Sequence, residues 1–97
     1  MKDPDECANI HEVREEIDII DREVIDALSK RFKYVVAAAR FKTSEAGVRS
    51  PDRFHAMLQQ RREWALESGL NPDVVENIYR DLVNYYIEEE LKHYKSE

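Results

Sequence analysis

Hydrophobic residues recur every three or four positions along the first half of the chain. This spacing places them on one face of a helix, because an α-helix completes a turn about every 3.6 residues. Asn9 with Glu12 three positions later is typical of a capping box, and no glycine or proline interrupts the run before Gly47. The pattern therefore predicts one long helix from about Asn9 to Lys42. Its apolar face contains Ile10, Val13, Ile17, Ile20, Val24, Leu28, Val35 and Ala38.

Two further helices are predicted after a break. Residues 43–49 lose the periodicity, so we expect a loop there. Ser50-Pro51-Asp52 is a typical helix start and Gly69 a typical helix end, and Asn71-Pro72-Asp73 repeats the start signal. Strand-like alternation is absent from the sequence, which therefore predicts an all-α fold of three helices, long, short and long. The expected apolar positions are Phe54, Met57, Leu58, Trp64 and Ala65 on the second helix, and Val75, Tyr79, Leu82, Val83, Tyr86, Ile87 and Tyr94 on the third.

The first predicted helix is too long for a compact monomer. Roughly 34 residues give a rod of about 50 Å, whereas a compact chain of 97 residues has a radius of gyration of about 13 Å. A continuous apolar stripe on such a rod needs a second chain to cover it. We therefore expect a single domain over residues 1–97 that forms an interlocked homodimer.

Three cations lie on or beside this apolar stripe. Arg31 falls on the stripe, Lys42 continues it, and Arg14 lies at its edge. A cation on an apolar face is unfavourable by several kcal/mol unless an anion meets it. Arginine binds carboxylates through two parallel hydrogen bonds, whereas lysine can meet a single oxygen. The set, joined by Arg53 in the first turn of the second helix, therefore indicates a small dicarboxylate ligand.

Glu90 is the acidic residue that the pattern sets apart. A run of three glutamates usually forms a solvated helix face, but Glu90 falls on the apolar face of the third helix. An alternative interpretation is that Arg31 and Glu90 form buried interhelical salt bridges while the other cations reach water. Glu90 and His93 also have the Glu-x-x-His spacing of di-iron bundles, which need a second such pair. The sequence contains no second copy, so we expect no metal.

Composition and charge narrow the classes of partner. The net charge of −6 argues against nucleic acid, although a local cation cluster can still bind a small anion. Cys7 is the sole cysteine, which is typical of a reducing cytoplasm and offers neither a disulfide nor a paired zinc motif. The longest apolar run, Tyr34–Ala39, is far too short to span a bilayer, and the polar N-terminus is unlike a signal peptide. We therefore expect a cytoplasmic protein without membrane contact.

Several motifs together resemble a known family. They are "KDPDEC", "VREEID", "ARFKTSEA", "SPDR", "REWA…GL" and "YYIEEELKHY", which together run nearly from end to end of the chain. With them the chain resembles the all-helical (AroQ-type) chorismate mutase family. The "ARFKTSEA" motif and the tyrosine-rich tail are more similar to the branch that converts isochorismate into salicylate and pyruvate.

This resemblance implies an intertwined helical dimer with two active sites and specific roles for the cations. Arg14 of one subunit would join Arg31 and Lys42 of the other. The two arginines would hold the substrate carboxylates, and Lys42 would donate to the ether oxygen whose bond breaks. The loop at 43–49 would close over the substrate, and no cofactor is implied. The implied catalytic residues are Lys42, Arg31 and Glu90, and the implied substrate-binding residues are Arg14, Arg31, Lys42, Arg53, Tyr86 and Glu90.

Two positions depart from the pattern of the mutases. Mutases of this family commonly place acidic residues, which hold a substrate hydroxyl, where this chain has Ser50 and Phe54. An unmatched buried hydroxyl is penalised, which favours the lyase. Bacterial relatives generally have glutamine at the position of Glu90, and some fungal mutases have glutamate. A glutamate can donate a hydrogen bond only when protonated, so our hypothesis is that Glu90 acts as a neutral acid and that activity declines at alkaline pH.

The sequence leaves three functions open. The first is an isochorismate lyase with weak chorismate mutase activity, and the second is a chorismate mutase that makes prephenate. The third is a non-catalytic helical dimer that binds a partner or a small aromatic acid. The retention of Arg14, Arg31 and Lys42 argues against the third function.

Overall fold

The structure is a computed structural model that describes the backbone of residues 2–96 and the side chains of residues 2–92. It contains a short 3-10 turn at Pro4–Glu6 and the helices α1 (Ile10–Ala39), α2 (Glu45–Arg49), α3 (Pro51–Glu67) and α4 (Pro72–Ser96). The described backbone has no strand, which confirms the all-α class. The three predicted helices are α1, α3 and α4, and α2 is one extra turn inside the predicted loop.

The chain divides into two compact units, one ending at Val35 and one beginning at Val36. In the first unit the predicted stripe of α1 is exposed, with Ile10, Ile17, Ile20 and Val24 each 45 to 54% accessible. No residue of α1 is buried among those that the structure describes. The apolar face that the periodicity predicts is therefore present but uncovered in a single chain.

The start of α1 is held by a small network of polar contacts. The Glu12 amide donates to Asn9 Oδ1 at 3.0 Å, as a capping box predicts. The Glu12 carboxylate accepts from the Ala8 amide at 2.6 Å and from Lys2 Nζ at 2.8 Å. The hydrogen bond from the Ala8 amide lowers the pKa of Glu12 the most, and the Lys2 ammonium lowers it further. The Glu12 carboxylate in turn raises the pKa of Lys2. The Glu12 side chain therefore bonds the amide of Ala8, one residue before the Asn9 amide that a capping box predicts.

The C-terminal end of α1 falls short of the predicted boundary. The helix ends at Ala39, so the prediction that it runs through Lys42 is wrong by three residues. The amides of Arg40, Phe41 and Lys42 each bond the carbonyl three residues earlier, at 3.1 to 3.3 Å. Such bonds tighten the chain into a turn and end the α-helical ladder. Lys42 is therefore presented from a turn and not from a helix face.

The second unit has a small apolar core. Helices α2 and α3 pack on α4. Five described side chains are buried: Val48, Met57, Leu58, Ala65 and Leu91. The predicted inner positions of α4 from Val75 to Ile87 are half-buried, and Tyr94 lies beyond the described side chains. Trp64, an expected apolar position of the second predicted helix, is 48% accessible, and the centre of its ring lies 4.6 Å from the Arg61 guanidinium carbon.

The turn between α3 and α4 follows the sequence signals closely. Gly69 adopts a left-handed φ of 76°. The amide of Leu70 bonds the carbonyl of Ala65 at 2.8 Å, and that of Gly69 bonds Leu66 at 3.2 Å. This pair of bonds is the Schellman helix end, which favours glycine because a side chain is strained at that φ. Asn71 then caps α4 by accepting from the Asp73 amide at 2.9 Å.

Charged residues link α3 to α4 beyond this turn. Arg62 on α3 bonds Asp73 at 2.8 Å and Glu76 at 3.1 Å, and Glu76 also accepts from Arg80 at 3.0 Å. The hydrogen bond from Arg80 lowers the pKa of Glu76 the most, and the one from Arg62 lowers it further. The Asp73 carboxylate raises the pKa of Arg62 the most, and Glu76 adds a smaller effect in the same direction. These residues hold the two helices in a fixed register.

None of the helices in the described range is long and apolar enough to cross a membrane.

Candidate active site

The centre of the candidate site is an ion pair between Lys42 and Glu90. Lys42 Nζ lies 2.8 Å from Glu90 Oε2, and the two side chains are 25% and 11% accessible. The contact joins the turn after α1 to the C-terminal part of α4. A half-buried ion pair is shielded from water, so its charges act more strongly on a neighbouring group than exposed charges do. Two of the six predicted site residues are thus brought into direct contact.

The remaining predicted residues are divided between the two units. Arg14 and Arg31 lie on α1 in the first unit, where Arg14 is exposed and Arg31 is half-buried. In the second unit, Arg53 is exposed in the first turn of α3 and is not a member of the Lys42–Glu90 ion pair. Tyr86 is half-buried on α4, one turn before Glu90, and its ring packs edge-on against Tyr85 with centroids 5.3 Å apart.

The segment after Lys42 is more ordered than the loop that the sequence predicts. Ser44 caps α2 by accepting from the Gly47 amide at 3.0 Å. Val48, within α2, is only 4% accessible. The segment closes at Ser50, whose Oγ donates to the Gly47 carbonyl. These contacts fold residues 44–50 into one compact turn beside Lys42.

Ser50 and Phe54 occupy the positions where mutases commonly carry acids. Ser50 precedes α3 with a left-handed φ of 39°, and its side chain makes no capping bond to that helix. The prediction that Ser50 occupies the N-cap position of α3 is therefore confirmed, but its hydroxyl bonds the Gly47 carbonyl and not an amide of α3. Phe54 is half-buried, and the Arg80 guanidinium carbon lies 5.8 Å from its ring centre. Neither residue offers a carboxylate to a ligand.

Ser44 and Val48, which fold the segment after Lys42, have only weak signals in the sequence. Ser44 precedes a helix of only five residues, and Val48 is the one large apolar residue in positions 43–50. Periodicity needs several turns before it stands out, so one buried side chain in a short turn leaves no pattern.

The pair can supply directed positive charge to an anionic ligand. An ammonium group has three N–H donors, and Lys42 uses one of them toward Glu90. The two others can meet oxygen atoms of a ligand. Glu90 fixes the direction of the lysine side chain, which is the preorganisation that electrostatic stabilisation requires. The chemistry of this pair therefore suits a reaction in which negative charge develops on an oxygen.

The sequence of the chain matches a known family. The family model described as Chorismate mutase type II matches residues 13–91. The chain therefore belongs to the type II chorismate mutase family, as its motifs predict. Over 95 residues it is 42% identical to isochorismate pyruvate lyase of Pseudomonas aeruginosa, a match that covers 98% of this chain and 94% of that protein.

Two relatives of a different kind share only this region. The T-protein of Haemophilus influenzae is 35% identical over 72 residues, which is 73% of this chain. The T-protein of Enterobacter agglomerans is 30% identical over 91 residues, which is 92% of this chain. The match covers 19% and 24% of those two proteins, so most of each T-protein has no counterpart here.

Proposed function

We propose that this protein is an isochorismate-pyruvate lyase that converts isochorismate into salicylate and pyruvate. The observation that carries the proposal is the 42% identity to a protein named for this activity, over nearly the full length of both chains. The T-proteins support the family but not this activity, because the match covers less than a quarter of each. The half-buried Lys42–Glu90 pair supplies directed charge of the kind that the reaction needs.

The proposed reaction breaks one carbon–oxygen bond and moves one hydrogen. The bond between the ring and the enolpyruvyl ether oxygen breaks, and a hydrogen from the neighbouring ring carbon passes to the enolpyruvyl methylene carbon. The ring becomes salicylate and the enolpyruvyl group becomes pyruvate. The atoms balance without water, an oxidant or an added group, so the enzyme needs to hold the reactive conformer and stabilise developing charge.

Lys42 is the residue to which we assign the main catalytic role. Its ammonium would donate to the ether oxygen as negative charge develops there, while Glu90 holds the side chain in place. Because this charge is larger in the transition state than in the substrate, the contact accelerates the reaction and does not merely strengthen binding. Arg31 and Arg14 would bind the two carboxylates, each through paired hydrogen bonds.

Glu90, Arg53 and Tyr86 complete the proposed site. Glu90 would hold the Lys42 ammonium in position through their ion pair. Arg53 would contribute positive charge from the first turn of α3, and Tyr86 would line the site from α4.

The active assembly in this proposal is a homodimer in the cytoplasm. Residues 1–97 would form one domain, and the exposed stripe of α1 would be covered by a second copy. Large apolar side chains on this stripe, such as Ile17 and Val24, are 49% and 51% accessible, and exposed apolar surface of this kind supports an association surface. Arg14 lies on this same helix, so a second copy would bring it to a shared site.

A weak chorismate mutase activity is the second function that we propose. The match to the chorismate mutase family model over residues 13–91 favours it. Ser50 and Phe54 limit it, because neither provides a carboxylate to accept from the hydroxyl of chorismate. The mutase activity is therefore expected to be the lesser of the two.

A paired assay tests the proposal. The purified protein is given isochorismate or chorismate in separate reactions, with salicylate followed by its fluorescence and chorismate by its loss. We expect rapid salicylate formation, slow chorismate loss, and little of either with Lys42→Ala. Faster use of chorismate would make the protein a mutase, and the absence of both products would leave a non-catalytic helical dimer.

A further inference from the structure

We propose that Val48 is a positioning residue of the site, which acts by anchoring α2 to α4 and thereby fixing Lys42 against Glu90. The inference rests on the proposed function only for its catalytic consequence. Its structural part, the effect of Val48 on the Lys42–Glu90 pair, can be tested without any substrate.

Val48 is the apolar anchor of an otherwise polar segment. It is 4% accessible, whereas Glu45, Ala46 and Arg49 in the same helix are exposed. Helix α2 has five residues and packs against α4. A helix of this length is not stable by itself in water, so its order depends on tertiary contacts. Val48 supplies the buried apolar contact of this helix.

The backbone around Val48 transmits that anchor to Lys42. Ser44 Oγ accepts from the Gly47 amide at 3.0 Å, and Ser50 Oγ donates to the Gly47 carbonyl. Gly47 lies against the lysine stem, since a Cβ added to this glycine would stand 3.9 Å from Lys42 Cβ. A shift of α2 would therefore change the space available to the Lys42 side chain.

Lys42 needs this support because α1 does not provide it. The helix ends at Ala39, and Lys42 follows in a turn. Two contacts with α4 then fix its position: the ion pair with Glu90 and, through α2, the burial of Val48. Truncating Val48 removes the second contact and leaves the polar partners in place. The expected result is a Lys42 that spends more time away from Glu90.

The first test measures the position of Lys42 directly. Intact protein is treated with a limiting amount of an acetylating reagent, and modification of Lys42 is followed by mass spectrometry. We expect Val48→Ala to raise the rate of Lys42 acetylation roughly threefold through local opening. The acetylation rate of Lys33, which is exposed, serves as the internal reference. Val48→Ile, which keeps a buried branched side chain, is expected to react like wild type.

Val75→Ala is the matched control variant. It removes the same two methyl groups from a half-buried position on α4, about four turns before Glu90. We expect it to lower the melting temperature without changing the rate at Lys42. If Val48→Ala leaves that rate unchanged, or if Val75→Ala raises it equally, the positioning role is overturned.

The second test measures the catalytic consequence in the lyase assay. We expect Val48→Ala to lower kcat roughly tenfold and to change KM by less than about twofold, because a small misplacement of a catalytic group mainly affects the chemical step. Val48→Ile is expected to restore kcat. A KM effect without a kcat effect would overturn the positioning role. If wild type forms no salicylate, the proposed function fails, and the acetylation result still decides the structural part.

Discussion

Lys42 is the residue at which the proposed chemistry can be tested most directly. Its ammonium is half-buried and already directed by Glu90, so little reorganisation is needed when a ligand oxygen approaches. We predict that Lys42→Ala lowers kcat by about 10²–10³, as the loss of one oxyanion donor does. The measurement is the initial rate of salicylate formation at saturating isochorismate, with folding checked by circular dichroism.

Lys33→Ala provides the control for this prediction. Lys33 is an exposed residue of α1 that lies away from the apolar stripe. Its loss removes the same charge from the protein, so a general electrostatic effect would appear in both variants. A similar loss of rate in the two variants would contradict the role of Lys42 as a directed donor.

At the scale of elements, the contact between α3 and α4 depends on charge as well as on the apolar core. The carboxylate of Glu76 accepts hydrogen bonds from Arg80 and Arg62, which lower its pKa. Because the pKa is lowered in the folded protein, the ionised carboxylate stabilises the folded state at pH values above its ordinary pKa near 4.5. This contribution is lost as the pH falls through the lowered pKa.

We predict that Glu76→Gln lowers the melting temperature near neutral pH by about 2–5 °C. The difference from wild type is expected to shrink as the pH falls through the lowered pKa of Glu76, because the wild-type carboxylate then also becomes protonated. Protein concentration is held fixed, because association would itself change the melting temperature. Glu63→Gln, at an exposed position of α3, is the control and is expected to change little. A deficit that persists unchanged in acid would contradict the ionic origin.

The longer elements could be predicted from the sequence because their signals repeat or are chemically specific. The stripe of α1, the inner face of α4 and the caps at Asn9 and Asn71 all appear in the structure. Helix α2 could not be predicted, because five residues are too few to show a period. The exposure of Trp64 could not be predicted either, because its spacing places it with the apolar residues, whereas the structure leaves it 48% accessible beside Arg61, one turn earlier on the same helix.

The candidate site was predictable to a different extent. Lys42 and Glu90 are charged residues in line with the predicted apolar faces, and the structure pairs them. The end of α1 at Ala39 could not be predicted, because helix ends are set by local hydrogen bonds that a hydrophobic pattern does not encode. The role of Arg14 depends on a second copy, and Arg31 lies in the first unit whereas Lys42 lies in the second, so both roles stay predictions.

At the scale of the whole molecule, the exposed face of α1 needs an explanation. Four aliphatic residues of the predicted stripe are each about half accessible, and no described residue of α1 is buried. Burial of apolar surface is the main favourable term in association, so a patch of this kind is stabilised by a second copy. We predict that Ile17→Glu shifts the sedimentation coefficient from that of a dimer to that of a monomer. An unchanged dimer would show that this face does not carry the contact.

A shared site makes a quantitative prediction about mixed dimers. If Arg14 of one copy serves the Lys42 of the other, a hybrid of Arg14→Ala and Lys42→Ala carries both changes in one site and neither in the other. Refolding the two inactive proteins together in equal amounts gives hybrids as about half of the dimers, so we predict recovery of about one quarter of the wild-type rate. A hybrid of Arg31→Ala and Lys42→Ala contains no intact site, because both residues are expected from the same copy. Its rate is therefore predicted to stay near that of its parents, and equal recovery in the two mixtures would contradict this division of the site between subunits.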